Sequence, residues 1–163
     1  MSKLKIFMIL AILAILLAGC VPVPAPVTPT QAPAQPAAAT PVTQTEIVDI
    51  VWQWLSVTDQ TTKETQTVPN PEDYTIVFSA DGTLTGKADC NIFGGAYSQE
   101  SGFTIKLGPS TMAYCGDASL DLQYTQLLSN VAAGGPDGAG GLALETAGGA
   151  QRMIFKNGGA APK

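Results

Sequence analysis

Between residues 50 and 107 the chain alternates apolar and polar side chains with a period of two. Tyr74, Ile76 and Phe78 alternate with Thr75, Val77 and Ser79, and Thr83-Leu84-Thr85 resumes the pattern after Asp81-Gly82. An Asp-Gly pair between two such runs predicts a tight hairpin, because glycine takes a positive φ without steric cost. Trp52 and Trp54 sit in a β-prone run, Ile50 to Val57, and alternation places both indoles on one side of a strand. Phe103, Ile105 and Leu107 predict another strand, stopped by Gly108-Pro109. The period then changes. Leu120, Tyr124, Leu127, Leu128 and Val131 recur at helical spacing, with Asp117 or Ser119 as cap, and Ala133-Gly134-Gly135-Pro136 ends that helix. Leu142 to Glu145 and Gln151 to Lys156 predict a final hairpin across Ala147 to Ala150. Thr58 to Glu72 is polar and reads as a loop. The expected fold class is α+β: a small antiparallel, partly open β-barrel-like sheet with one packed α-helix, the helix covering an open face or end of the sheet.

The first 46 residues follow neither period. Lys3 and Lys5 precede an unbroken apolar run of 13 residues, Ile6 to Ala18. As a helix that run would be about 20 Å long, short of the roughly 30 Å hydrocarbon core of a bilayer. A basic head with a short apolar body is the pattern of a secretory signal. Leu17-Ala18-Gly19-Cys20 follows and resembles a bacterial lipobox, which implies cleavage after Gly19 and acylation of Cys20. Two or more acyl chains hold a protein stably on a membrane where one is marginal. Val21 to Thr45 then consists wholly of Pro, Ala, Thr, Gln and Val, seven of the 25 residues being Pro. Proline this dense favours polyproline II, and full extension would reach about 80 Å. The expected organisation is a signal over 1–19, an anchor and linker over 20–46, a folded domain over 47–157 and a flexible tail over 158–163.

Composition narrows the chemistry. The 163 residues contain no His, which excludes Ser-His-Asp and Cys-His nucleophile systems and His-ligated metals. Loss of the signal removes Lys3 and Lys5 and leaves six basic against thirteen acidic side chains, net −7. Nucleic-acid binders need a basic face, so no nucleic acid is expected. Neither cofactor nor metal is expected, nor is enzymatic activity. Asp81 and Asp89 flank the hairpin, yet thirteen acids produce neighbours by chance, and the series of ligands a calcium loop needs does not follow Asp81-Gly82. With Cys20 acylated, Cys90 and Cys115 form an even pair in an exported domain, which reads as a disulfide, two free buried thiols being the alternative. Gly94-Gly95 before Tyr97 reads as a bend beside the cysteine, with Tyr97 in the core and Asn91 bonding backbone groups.

The string Asp81-Gly82-x-Leu84-x-Gly86-x-x-x-Cys90-Asn91-x-x-x-Gly95-x-Tyr97 resembles the core signature of the META domain, the family that includes bacterial heat-inducible lipoproteins. Thr111-Met112-Ala113-Tyr114-Cys115 resembles its second signature, a threonine four residues before a cysteine, with Met112-Ala113 displaced by one from the commoner order. The resemblance spans nearly all of residues 50–157. It implies a partly open antiparallel barrel carrying a helix, similar to lipid-binding pilot proteins of secretion systems, and it brings no catalytic residues. It gives Asp81, Gly82, Gly86, Asn91, Gly95, Tyr97 and Thr111 structural roles. The resulting expectation is a monomeric, non-enzymatic, stress-related envelope module, held on the extracytoplasmic side of the cell membrane or outer membrane through Cys20 and engaging an unknown envelope protein. The alternative is a carrier or sensor of a small apolar ligand or lipid, held inside a barrel lined by Trp52, Trp54, Tyr74, Phe78 and Phe103.

Overall fold

The computed structural model describes residues 46–163. The expected signal and anchor, with all of the linker but Glu46, lie outside the described residues. Nine strands form one antiparallel sheet: β1 (Ile50–Asp59), β2 (Thr65–Thr67), β3 (Tyr74–Phe78), β4 (Thr83–Ala88), β5 (Asn91–Ser98), β6 (Thr104–Ser110), β7 (Val131–Pro136), β8 (Leu142–Thr146) and β9 (Gln151–Ala160). Their order is β6-β5-β4-β3-β1-β9-β8-β7, with β2 paired to β1 beside this path. The sheet curls into a half-barrel, and its two end strands approach at one point. A Cβ built on Gly102 would lie 3.1 Å from the Ala132 carbonyl, and one on Gly134 would lie 3.3 Å from the Phe103 ring.

The helix α1 (Asp121–Ser129) fills the concave side and buries Tyr124, Leu127 and Leu128. Tyr124 stacks on Trp54 with centroids 5.0 Å apart and meets Tyr74 edge-on at 5.8 Å. Phe78 packs on Tyr97 at 4.7 Å and on Phe103 at 5.5 Å. The two indoles of β1 are both buried, as alternation requires. Each finds a backbone acceptor for its N–H: Trp52 donates to the Ile47 carbonyl and Trp54 to the Ser56 carbonyl, both at 2.9 Å. Burial without a lost donor is what makes indoles affordable in a core.

The β3–β4 hairpin turns at Asp81-Gly82 as expected. Gly82 takes φ +83°, and its N–H reaches the Ser79 carbonyl at 3.1 Å. Elsewhere the sheet is more extensive than the pattern predicted. Val131–Pro136, expected to close the helix, is the edge strand β7 paired to β8, and Val131 is buried as a strand residue. Gly94-Gly95, expected as a bend, lies inside β5, which is paired on both sides. The expected stop at Gly108-Pro109 is instead a register shift inside β6, between the pairs Gly95–Leu107 and Phe93–Ser110. The expected loop over 58–72 contains β2, held by Thr58–Thr65 and its neighbours. The C-terminal tail is a strand through Ala160, which pairs with Ile50. At the helix start Leu120 makes no side-chain cap, and the hydroxyl of Ser119, one of the two expected caps, accepts from the Asp121 N–H at 3.2 Å.

Candidate functional site

The motif residues separate into two structural knots at opposite ends of β4. At one end Asp81 accepts from the Thr83 backbone N–H at 2.9 Å and from the Thr83 hydroxyl at 2.6 Å. These donors, the hydroxyl foremost, hold the Asp81 carboxyl below its ordinary pKa. Tyr97 seals this turn: its N–H donates to the Gly82 carbonyl at 2.8 Å and its hydroxyl to the Ser79 carbonyl at 2.9 Å. Burial is the main reason its phenol titrates above the ordinary range. Between the knots two glycines make room. A Cβ on Gly86 would stand 2.2 Å from the Phe93 ring, and one on Gly95 would stand 2.4 Å from the Lys106 carbonyl.

At the other end Cys90 and Cys115 are joined by a disulfide, with Cα atoms 5.6 Å apart. Asp89, at φ +58°, opens the two-residue turn between β4 and β5 that carries Cys90. Six strand residues separate this turn from Asp81, a span of about 20 Å. The two carboxylates therefore cannot share a proton-transfer step.

Asn91 is the centre of the second knot and is only 5% exposed. Its carbonyl oxygen accepts from the Ala113 N–H at 2.8 Å and from the Thr111 hydroxyl at 3.0 Å. Its amide donates to the Ala113 carbonyl at 3.0 Å and to the Asp121 carboxylate at 3.2 Å. The Thr111 hydroxyl in turn accepts from the Ile92 N–H at 3.0 Å. One side chain thus ties β5, the irregular segment 111–120 and the first residue of α1 together. The fully satisfied amide leaves no free group for a ligand.

The segment that these bonds pin forms one wall of a groove of about 710 Å³. The floor is Ala88, Asn91, Phe93 and Leu107, and the opposite wall is the first turns of α1, with Asp121, Leu122 and Thr125. Among the described residues, the large apolar side chains left exposed are Ile92, Met112, Tyr114 and Leu122. Three of them line this groove, Met112 at 95%, Tyr114 at 80% and Leu122 at 72% exposure. Ile92 lines a neighbouring recess, which shares Phe93, Ser110 and Thr111 with the groove. The Tyr114 hydroxyl donates to the Asp117 carboxylate, and this bond raises the pKa of the phenol.

The side chains expected to line a ligand-holding interior are themselves the core. Trp52, Trp54, Tyr74, Phe78 and Phe103 are at most 5% exposed and pack on one another and on Tyr124. Tyr124 is wholly buried, no group among the described residues lies within hydrogen-bonding reach of its hydroxyl, and burial pushes its pKa well above the ordinary value. Sequence reasoning missed the groove. Leu122 falls off the helical stripe, and Met112 and Tyr114 lie in a stretch without periodicity, which were the available signals.

The META domain family model matches residues 45–158. No curated protein matches the chain. Two solved structures share the fold. A DUF4847 family protein from Bacteroides vulgatus, determined by crystallography, has a TM-score of 0.53 at 14% identity, covering 68% of this chain and 93% of that one. A protein from Burkholderia xenovorans, determined by NMR, has a TM-score of 0.54 at 16% identity, covering 79% of this chain and 97% of that one.

Proposed function

The chain belongs to the META domain family, and from that premise we propose that it is a lipid-anchored, non-enzymatic module of the cell envelope that engages another envelope protein. The observation that carries this reading is the Cys90–Cys115 disulfide. Disulfides persist in oxidising compartments outside the cytoplasm, which is where the basic head and apolar run of residues 1–18 would send the chain. Cys20 is then the remaining cysteine of the three, and it stands in the sequence where a lipobox has its acylated residue. The resemblance to heat-inducible lipoproteins supports envelope stress as the setting. The polar side chains beside the groove, Asn91, Thr111 and Asp121, are committed to one another, which supports a structural rather than a catalytic role.

Metabolic labelling with palmitate tests the anchor. The wild-type chain should incorporate label and Cys20→Ala should not. Label on Cys20→Ala, or the mature chain free in the cytosol, would refute the reading. Carriage of a small apolar ligand stands as a second reading because the groove volume lies within the roughly 300–1,000 Å³ of small-molecule sites. Its place shifts from the packed interior to the groove.

A further inference from the structure

We infer that the groove between residues 108–119 and α1 is a docking site for a cationic, apolar peptide segment of another envelope protein. The inference rests on the reading of the chain as a non-enzymatic envelope module and adds the place and the chemistry of the partner. Three of the four exposed large apolar side chains converge on this one groove. Scattered exposed apolar residues are ordinary, whereas a cluster around a concavity marks an interaction site. The wall that carries Met112 and Tyr114 is fixed before any partner arrives, by the disulfide at Cys115 and by Asn91 on Ala113. A fixed wall spares the ordering cost that weakens flexible surfaces. Tyr114 supplies a rigid aromatic contact, and Met112 an adaptable one.

Charge selects the partner. Among the described residues, two acids, Asp117 and Asp121, line the groove, and no basic residue does. The ion pairs among the described residues are Lys87–Asp73 and Arg152–Glu145, so neither groove acid is neutralised by a cation. The Tyr114 hydroxyl and the Asn91 amide that bond them carry no charge. The domain around them carries six basic and thirteen acidic side chains. Such a field attracts Lys and Arg and repels anionic lipid head groups. The occupant is therefore a basic peptide with apolar side chains, rather than a bilayer surface.

The test uses the full chain, methyl-labelled and reconstituted in phosphatidylcholine nanodiscs, titrated with a short synthetic peptide of Leu and Lys residues. Controls are its Glu-for-Lys and Ser-for-Leu counterparts. The expected result is saturable shifts of the Met112 and Leu122 methyls with the Leu-Lys peptide and neither control. Binding should weaken at least about tenfold in Met112→Ser with Leu122→Ser, and weaken again as salt rises from about 0.05 to about 0.5 M. Both residues are exposed, so the double variant keeps its fold, which unchanged shifts of the core methyls would verify. No shift up to millimolar peptide, equal binding of the Glu peptide, or shifts on another face would overturn the inference. So would insertion of these methyls into the nanodisc lipid, or tighter binding of free palmitate at the same methyls. The mass of the same sample reports whether Cys20 is acylated, so a missing anchor and a silent groove register as separate failures.

Discussion

The concave core and the segment 108–119 lie side by side and are held by opposite means. Around Trp54 the chain is fixed by burial: Tyr74 and Tyr124 close over the indole, Phe155 stands opposite it on β9, and it has no exposure at all. Along 111–119 no residue is buried, six of the nine are exposed, and Met112 and Tyr114 point their apolar surface outward. That segment keeps its shape through a disulfide, the bonds of one asparagine and the backbone bonds that Thr111 makes with Ile92 and Leu120 with the Tyr74 hydroxyl. A fold can therefore present apolar side chains to solvent in a fixed arrangement when covalent and polar pins replace packing. The second region supplies a surface, and the first supplies the stability that lets it exist.

Four experiments would break or sharpen this contrast. Trp54→Ala removes the largest buried side chain and should cost about 3–5 kcal/mol, enough to unfold much of the population. A urea midpoint near wild type would show that the core is not where stability lies. Cys90→Ser with Cys115→Ser releases a 25-residue loop, worth about 3.5 kcal/mol in the chain-entropy model. Thermal melts should drop by many degrees while the far-UV spectrum at 25 °C stays that of the wild type. Asn91→Ala leaves the Ala113 N–H and carbonyl without their partner and should cost about 2 kcal/mol, with the spectral change confined to 111–115. A loss as large as that of Trp54→Ala would erase the distinction between the regions.

The smallest effect concerns the turns. Asp59, Asp81 and Asp137 accept hydrogen bonds in surface turns, and their carboxyls titrate below the ordinary range. A depressed folded pKa means that the contribution is present above the unfolded value, near 3.9 for Asp. It is lost as pH falls through the folded value. The melting temperature should therefore decline below about pH 4, and Asp81→Asn should make that decline slightly shallower. A steeper decline would contradict the assignment.

The sequence revealed most where a local rule and the tertiary structure agree. The Asp81-Gly82 hairpin needs one glycine at positive φ, and the paired burial of Trp52 and Trp54 needs only strand alternation. Cys90 with Cys115, and Asn91 as a backbone tie, followed from residue type and position. The misread elements share a cause. Gly94-Gly95, Gly108-Pro109 and Gly134-Gly135-Pro136 carry strong breaker signals, yet neighbouring strands hold all three in the sheet. At Gly95 the glycine is there because β6 comes too close for a Cβ. The turn at Asp89-Cys90 was hidden because an aspartate, not a glycine, takes the positive φ. The groove was least legible, since Met112, Tyr114 and Leu122 are the same residue types as the core, and nothing in the letters says which way they face.

Amide hydrogen exchange with and without reductant tests most directly whether the groove wall is held by pins rather than packing. Reduction of Cys90–Cys115 should strip protection from the Thr111 and Ala113 amides while Trp54, Met153 and Phe155 in the central strands remain protected. Unchanged exchange at Thr111 and Ala113, or loss of protection across both regions in a single step, would contradict the account.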